Sequence, residues 1–422
     1  MDLSAHLDLD VVAHQAEDQL SVLVELAAPD LPADAARVPS TLVVVLDRSG
    51  SMGGDRISAA KAALLSIVDR LDPRDRFGLV AFDDQVDIVV PAGPLTDKRA
   101  LKHAISAVHA RGSTDLSAGY FRGLQEARRV ASDGGTAVLL VSDGHANAGV
   151  KDPGQLGDVA RKAHGDGTTT TTLGMGLGYD ERLMSAIAAG GAGNELFAET
   201  ADDALQHIAD EIGGLLSVAA QAGSLLLRMS PHVRAVRVLN ELPSAAVSDG
   251  ILLELGSFYA GEARKLVITF DIPGIAALGL VEIASLEFSY IALPGLEQQT
   301  ISVPLHVNVV PGDQAAGRVP DPVVRTEVAF QQAQQAKRAA STALSAGNAS
   351  SAESSLRAAR RIVADAYAFA PPAMTAELQD ELAVLSQLEE DVRFGNVSRA
   401  AKRSSADAAY KSRSSRGRRR PE

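Results

Sequence analysis

The sequence predicts a doubly wound α/β domain with a mostly parallel sheet, inserted in a β-sandwich and followed by a C-terminal helical region. Unbroken Val and Leu runs such as TLVVVLD and TAVLLVSD are typical of parallel strands buried on both faces. They alternate with segments of helical period, which suit the crossovers that parallel strands require. Strand-like segments with alternating polarity lie before and after this region, and they favour an antiparallel sandwich.

The strands at the two ends of the α/β region are predicted to belong to one sandwich. Residues 1–38 contain two short strand-like stretches, LDLDVVAH and QLSVLVELA. Because an isolated hairpin is marginally stable in water, these strands need a sheet to join. Residues 39–217 form the α/β domain, and residues 218–311 return to strands at short spacing. The α/β domain is therefore expected to be an insertion between strands of the sandwich.

The C-terminal part is predicted to be helical and then disordered. A linker at 312–322 leads to three helices within 323–394, separated by Gly347 and by the Pro371–Pro372 pair. Small residues at helical spacing resemble one tetratricopeptide-like hairpin, but an array needs about three repeats. Packing against the sandwich or a neighbouring chain is the preferred interpretation. Residues 395–422, rich in Ser, Arg and Ala, are predicted to form a basic disordered tail.

Composition restricts the possible functions. The formal net charge of -13 argues against nucleic-acid binding by the body of the protein. The basic tail could contact an acidic partner, an anionic membrane or nucleic acid. The absence of Cys excludes disulfides, thiolate metal sites and cysteine nucleophiles. We find neither a signal peptide nor the roughly 18 apolar residues of a membrane span, so a cytoplasmic location is expected.

Oxygen-bearing side chains cluster where two buried strands end. TLVVVLD continues directly into DRSGSM. Asp47, Ser49 and Ser51 are therefore every second residue at the strand's carboxyl end and in the loop that follows. Thr114 in ARGSTDL precedes a predicted helix, and Asp143 in VLLVSDG ends another buried strand. Ligands of open α/β sheets bind at this edge, and hard cations such as Mg²⁺ take oxygen ligands. The five side chains are therefore predicted to form one divalent-metal site.

These motifs resemble the metal-ion-dependent adhesion site of von Willebrand factor A domains. The resemblance rests on DxSxS, the Ser-Thr-Asp loop and the strand-end Asp-Gly, and it implies a von Willebrand A fold with an intact site. It further implies that Ser49 and Ser51 ligate the ion directly, Thr114 directly or through water, and Asp47 and Asp143 mostly through water. The implied cofactor is Mg²⁺, with Mn²⁺ or Ca²⁺ as alternatives. One coordination position is left for an acidic oxygen of a partner.

Other segments extend the resemblance and limit competing interpretations. It covers about residues 40 to 217, where GLVAFDD, HANAG and LGMGLGYDERLM look like the bacterial intracellular branch of the family. GMGLG lacks the third Gly at the spacing that a dinucleotide-binding loop requires, and no ribose-binding acid follows on a later strand, so a tight turn beside the metal site is the better interpretation. His145 is the one histidine expected beside that edge. It could contact a partner, but nothing in the sequence makes it a general base.

The leading expectation is a non-enzymatic adaptor that binds an Asp or Glu of a protein partner through the metal. In the family's general pattern the last helix of the domain shifts on binding, and here that helix leads into the sandwich. A regulatory subunit of an AAA+ ATPase of the MoxR or chelatase type is the first alternative. A Mg²⁺-dependent hydrolase would need a nucleophile or base directed at the metal, and the sequence offers none. RNA binding would depend on the basic tail alone.

Overall fold

The computed structural model describes residues 1–30, 38–131, 135–215 and 217–413. It begins with three strands where the sequence predicts two. The predicted stretch LDLDVVAH is interrupted because the Asp8 carboxylate accepts a hydrogen bond from the Ser21 amide, 2.8 Å away. The three strands are β1 (Asp2–Leu7), β2 (Val11–Ala13) and β3 (Asp18–Ala27).

An α/β domain follows, in which strands and helices alternate. Its strands are β4 (Thr41–Asp47), β5 (Arg76–Phe82), β6 (Val86–Pro94), β7 (Thr136–Ser142), β8 (Thr168–Met175) and β9 (Ala192–Ala198). Its helices are α1 (Asp55–Arg70), α2 (Lys98–Ser106), α3 (Leu116–Arg129), α4 (Pro153–Gly165), α5 (Glu181–Gly190) and α6 (Ala201–Leu215).

The six strands form one central sheet in the order β6-β5-β4-β7-β8-β9. All neighbours are parallel except β6, which runs antiparallel to β5 at one edge, so the predicted mostly parallel sheet is confirmed. Every residue of β4 and β7 is buried, because helices cover both faces of the sheet. Separate hydrophobic cores lie on the two faces, one containing Val44 and the other Val45.

Two further sheets are built from strands that precede and strands that follow the α/β domain in the sequence. The later strands are β10 (Val218–Met229), β11 (Ala235–Val238), β12 (Ser244–Val247), β13 (Gly250–Tyr259), β14 (Ala263–Ile272), β15 (Gly279–Ala292) and β16 (Glu297–Val310). One sheet has the order β1-β3-β14-β11 and the other β12-β13-β10-β15-β16-β2. The N-terminal strands thus supply members to both sheets.

One hydrophobic core joins these two sheets. It contains Val22 and Val24 of β3, Ile268 of β14 and, from the other sheet, Leu225 and Phe288. The pairing of β3 with β14 is antiparallel and runs through ten residue pairs. β2 pairs in parallel with the end of β16. β2 and β3 are therefore paired with strands that follow the α/β domain, whereas β1 pairs with β3.

Within the described residues, the C-terminal region has two helices more than predicted. A short helix, α7 (Gly312–Ala315), lies in the predicted linker, and the three predicted helices are α8 (Pro322–Ser345), α9 (Ala349–Tyr367) and α10 (Pro372–Arg393). A fourth long helix, α11 (Val397–Arg413), occupies most of the segment that we expected to be a disordered tail. That expectation is wrong for α11, and residues 414–422 lie outside the described residues.

Helix α11 is ordered because it lies between the helical region and the α/β domain. Its Lys402 ammonium donates to the Tyr179 carbonyl oxygen and to the Glu181 carboxylate, both at 2.6 Å. Ser405 donates to the buried Glu195 of β9 at 2.9 Å, and Arg403 pairs with Glu199 at 3.0 Å. These contacts between α11 and the β9–α5 side of the domain are called the α11 interface below. Within the ranges described above, no helix is both long and apolar enough to cross a membrane.

Candidate metal site at the carboxyl edge of the central sheet

The fold brings Asp47 and Asp143 to the same edge of the sheet. Strands β4 and β7 are parallel neighbours in register, with Leu46 opposite Val141, so their carboxyl ends lie side by side. Asp47 ends β4 and Asp143 immediately follows β7. Both carboxylates are at most 1% exposed. Their nearness follows from the parallel pairing of β4 with β7.

Asp47 is held in place by hydrogen bonds to both of its oxygens. One oxygen accepts the backbone N–H of Ser49 at 2.8 Å, which shapes the turn after β4. The other accepts the hydroxyl of Ser142 at 2.5 Å, which links the ends of β4 and β7. Burial raises the pKa of Asp47, and the nearby charge of Asp143 also raises it, while the hydrogen bonds from Ser142 and Ser49 act in the opposite direction. A bound cation would favour the ionised form.

The two serines extend the cluster toward Asp143. Ser49 and Ser51 flank the start of a single 3₁₀ turn, Gly50–Met52, and their hydroxyl oxygens are 3.1 Å apart. The Ser51 hydroxyl donates to Asp143 at 2.7 Å. Asp47, Ser49, Ser51 and Asp143 are therefore linked by hydrogen bonds into one polar cluster.

Thr114 approaches the cluster from the loop before α3. Its carbonyl oxygen accepts the amides of Asn147 and Ala148, at 2.8 and 3.2 Å, which ties this loop to the loop that follows Asp143. A β-carbon placed on Gly144 would lie 3.4 Å from the Thr114 hydroxyl oxygen and 3.5 Å from that of Ser51. The two hydroxyls therefore flank Gly144, and all five predicted side chains lie at one edge.

The donor set fits a hard divalent cation. It consists of three hydroxyls and two carboxylates, which is the oxygen chemistry that Mg²⁺ prefers. Among the residues that the structure describes, no group of three or more His, Cys, Asp or Glu side chains is arranged to hold a metal. A site at this edge would thus depend on hydroxyl ligands, with few carboxylates to neutralise the ion.

Several residues that support these side chains were not predicted from the sequence. Arg48 is 7% exposed and forms ion pairs with Asp83, in the loop after β5, and with Asp87, at the start of β6. These pairs link the loop after β4 to the β5–β6 hairpin. Although burial opposes its charge, Asp83 has a pKa below its usual range because Arg111 and Arg48 bond to it. Arg56 of α1 pairs with Asp143 at 2.5 Å. Ser142 could have been suspected, since it directly precedes the strand-end Asp.

The two weaker sequence features lie at the rim of this edge. GMGLG ends β8 and turns there, with Gly176 at φ 71°, which favours glycine. The His145 side chain is exposed, and its Nδ1 lies 3.7 Å from the Asp180 carboxylate. Among the described residues, we find no hydrogen bond between either feature and the five predicted side chains. The placement of His145 leaves it open to a partner.

Comparison with known proteins identifies the domain. The family model for the von Willebrand factor type A domain matches residues 41–211. The chain contains a von Willebrand factor type A domain. Domains of this family generally mediate protein–protein interactions.

The similarity to other proteins extends beyond that domain. Protein sll0103 of Synechocystis is 29% identical over 290 residues, which is 65% of this chain and 68% of that protein. YfbK of Escherichia coli is 28% identical over 51% of this chain, and the chain spans only 38% of YfbK. A von Willebrand factor type A structure from Catenulispora acidiphila superimposes with a TM-score of 0.72 at 16% identity, over 92% of this chain and 89% of that one. The last similarity concerns fold alone, and it includes the added strands and C-terminal helices.

Proposed function

We propose that the protein is a non-enzymatic adaptor that binds an acidic residue of a protein partner through a divalent cation. Mg²⁺ is the preferred ion, with Mn²⁺ or Ca²⁺ as alternatives. The observation that supports this most directly is the linked cluster at the carboxyl edge of the von Willebrand A domain. Asp47, Ser49, Ser51 and Asp143 are linked by hydrogen bonds, and the Thr114 hydroxyl lies beside them at Gly144.

The chemistry of the cluster favours binding to an acidic group. Ser49, Ser51 and Thr114 offer neutral hydroxyl oxygens, which leave the charge of an ion largely uncompensated. Asp47 already accepts two hydrogen bonds, and Asp143 accepts from Ser51 and Arg56, so both carboxylates are partly engaged. When bound, the cation supplies a Lewis-acidic position at which a carboxylate binds better than water or an amide. This residual charge is the basis of the proposed selectivity for Asp or Glu.

Calorimetry with Mn²⁺ alone tests the first step. Wild-type protein is expected to bind one ion, and Ser49→Ala and Thr114→Val are expected to weaken binding because each removes one hydroxyl. Ser106→Ala is the matched control, since its exposed hydroxyl, at the end of α2, donates to the Lys102 carbonyl oxygen. Equal affinity in wild type, Ser49→Ala and Thr114→Val would overturn the site.

The second step is tested on a complex captured with the full chain. Capture in Mg²⁺ should be lost in EDTA, lost with Ser49→Ala and retained with Ser106→Ala. Within the partner so obtained, changing one Asp or Glu to Ala should abolish binding. A complex that survives EDTA would contradict the proposal. Phosphoester hydrolysis by the isolated protein, abolished by Asp143→Ala, would instead establish a Mg²⁺-dependent hydrolase.

We also propose that the two outer sheets form a single sandwich into which the von Willebrand A domain is inserted. In support, β3 and β14 share ten residue pairs and the two sheets share one core. Helix α6 packs on the central sheet of the von Willebrand A domain through Ile208 and Ile212. Strand β10 of the outer sheets begins shortly after this helix, at Val218. A movement of α6 would therefore reach the sandwich.

Deletion of residues 1–37 tests this arrangement. The deletion removes β1, β2 and β3, so hydrogen exchange should increase in β14 and β16, their pairing partners. Exchange in β4 and β7 should change much less, because those strands pair only within the central sheet. Full protection of β14 and β16 after the deletion would show that the later strands do not depend on the N-terminal strands, and it would contradict the insertion.

A further inference from the structure

Arg56 occupies an unusual position beside the candidate metal site. It lies in the first turn of α1, and its Nη1 is 2.5 Å from Asp143 Oδ2 and 3.1 Å from the Ser51 carbonyl oxygen. The other oxygen of Asp143 accepts the Ser51 hydroxyl. The Asp143 side chain is fully buried, whereas that of Arg56 is 42% exposed. Arg56 thus reaches inward from solvent to a carboxylate of the cluster.

The position of Arg56 on its helix points to a specific role. A helix N-terminus carries partial positive charge, so a cation in the first turn is placed unfavourably. Arg56 stays there because Asp143 compensates its charge. The guanidinium therefore depends on the same carboxylate that a metal ion would use.

The backbone at the end of β8 is shaped to accommodate the guanidinium. A β-carbon on Gly176 would lie 2.8 Å from Arg56 Nη2 and 3.1 Å from both Cζ and Nε. Three atoms of the planar group therefore face this glycine at close range. A side chain on residue 176 would require the Arg56 guanidinium to shift from this position.

We propose that Arg56 competes with the divalent cation for Asp143 and thereby lowers the affinity of the site. The inference rests on the proposed metal site. A cation that interacts with Asp143, directly or through water, meets a fixed positive charge bonded to the same carboxylate. Either the guanidinium remains and repels the ion, or it moves toward solvent and loses its ion pair. Both outcomes make binding weaker than it would be beside a neutral residue, so the site releases its ion more readily.

Calorimetry with Mn²⁺ on the full chain tests this role. Arg56→Gln retains a donor for Asp143 without the charge, and its Mn²⁺ affinity should rise on the order of tenfold, given charge interactions of this size near a protein surface. Arg56→Lys retains the charge and should bind close to wild type. Arg70→Gln, an equal charge change at the exposed far end of the same helix, is the matched control and should have little effect.

Thermal unfolding in EDTA supplies a readout of the opposite sign. Arg56→Gln should unfold at a lower temperature than wild type, since the buried Asp143 loses its counter-charge, and Mn²⁺ should raise its midpoint by more than it raises that of wild type. Should Arg56→Gln bind Mn²⁺ no better than wild type, Arg56 positions Asp143 and does not compete with the ion, and the inference is overturned. Failure of wild type, Arg56→Lys and Arg56→Gln alike to bind Mn²⁺ would instead overturn the metal site itself.

Discussion

The candidate metal site and the α11 interface are both polar, but they are built from different kinds of side chain. The metal site uses short side chains, such as Ser49 and Thr114, that are placed by strand ends and tight turns. The α11 interface uses long ones, such as Lys402 and Arg403, that reach residues more than 200 positions earlier in the chain. The first arrangement is local enough to be visible as a motif. The second becomes apparent only when the chain has folded.

The difference suggests a division of roles. Removing one short side chain at the metal site takes away a ligand but few contacts, so binding should suffer more than stability. Removing a buried charged side chain such as Lys402 from the α11 interface leaves its partner without compensation, so stability should suffer more than metal binding. Three changes of decreasing expected size test this comparison.

Lys402→Met is expected to have the largest effect. The Lys402 side chain is 3% exposed and bonds to Glu181 and the Tyr179 carbonyl, with its ammonium 4.2 Å from the centre of the Tyr179 ring. Breaking a buried ion pair costs about 3 kcal/mol or more, so the free energy of unfolding should fall by about that amount. Urea unfolding followed by circular dichroism measures it, since the chain has no Trp.

The control for Lys402→Met is Arg403→Gln. Arg403 is 42% exposed and pairs with Glu199 at the surface, where such pairs contribute about 1 kcal/mol or less. Mn²⁺ affinity should be unchanged in both variants. Equal, small losses of stability for the two changes would show that the buried pair is no more important than the surface pair.

Acid is expected to have the second-largest effect, and it should weaken the contacts of α11 with α8 and α10, on the side of α11 opposite the α11 interface. Burial raises the pKa of Glu381, but Lys337 and Lys411 outweigh it and hold that pKa at about 2, below the ordinary 4.5. Because the folded-state pKa is depressed, Glu381 stabilises the fold fully above pH 4.5, and this stabilisation is lost as the pH falls from 4.5 toward 2. The loss amounts to about 3 kcal/mol over that window.

Hydrogen exchange of α11 between pH 4.5 and 2, corrected for intrinsic rates, measures this loosening. Glu381→Gln should remove much of the pH dependence in that window. Glu353→Gln, which changes a glutamate on the exposed side of α9, should preserve it. An unchanged acid response in Glu381→Gln would assign the effect to other carboxylates.

Asp47→Asn should have the smallest effect on stability and a selective effect on binding. The amide keeps the size of the side chain, and burial already opposes the charge of Asp47. Loss of a residue that acts on a metal through water typically costs about 10- to 100-fold in affinity, and a loss of that size is expected for Mn²⁺. Calorimetry and urea unfolding together measure the two effects. A variant that loses stability as Lys402→Met does would remove the distinction between the two regions.

Much of the von Willebrand A domain and its cluster could be predicted, because the relevant signals are local. Asp47 and Asp143 each end an apolar run, and parallel strands bring such ends together. Arg56 could not be assigned in the same way, since its pairing depends on the start of α1 and on the turn at Gly176. Its one signal in the sequence is a cation close to the start of a segment with helical period.

Helix α11 was mispredicted because its composition resembles that of a disordered segment. Its few apolar groups indicated too little burial to offset chain entropy. The missed signal is a stripe of small buried residues at helical spacing, which includes Ala401, Ser405, Ala408 and Ser412. Small side chains allow close approach to neighbouring elements, and buried ion pairs supply the remaining contacts. Composition alone could not show that acidic partners on β9 and α5 are within reach.

The pairing of β3 with β14 also has a consequence for the order in which the protein folds during synthesis. The ribosome makes β3 before the whole von Willebrand A domain, but its partner β14 appears only after that domain is complete. Until then β3 can pair with β1 on one edge, but its other edge is unpaired and its apolar residues such as Val22 and Val24 lack the rest of their core, features that favour aggregation. The central sheet, whose strands lie closer together in the chain, can fold meanwhile. A nascent chain stalled before β14 should therefore carry a folded von Willebrand A domain and an N-terminal segment open to chaperones.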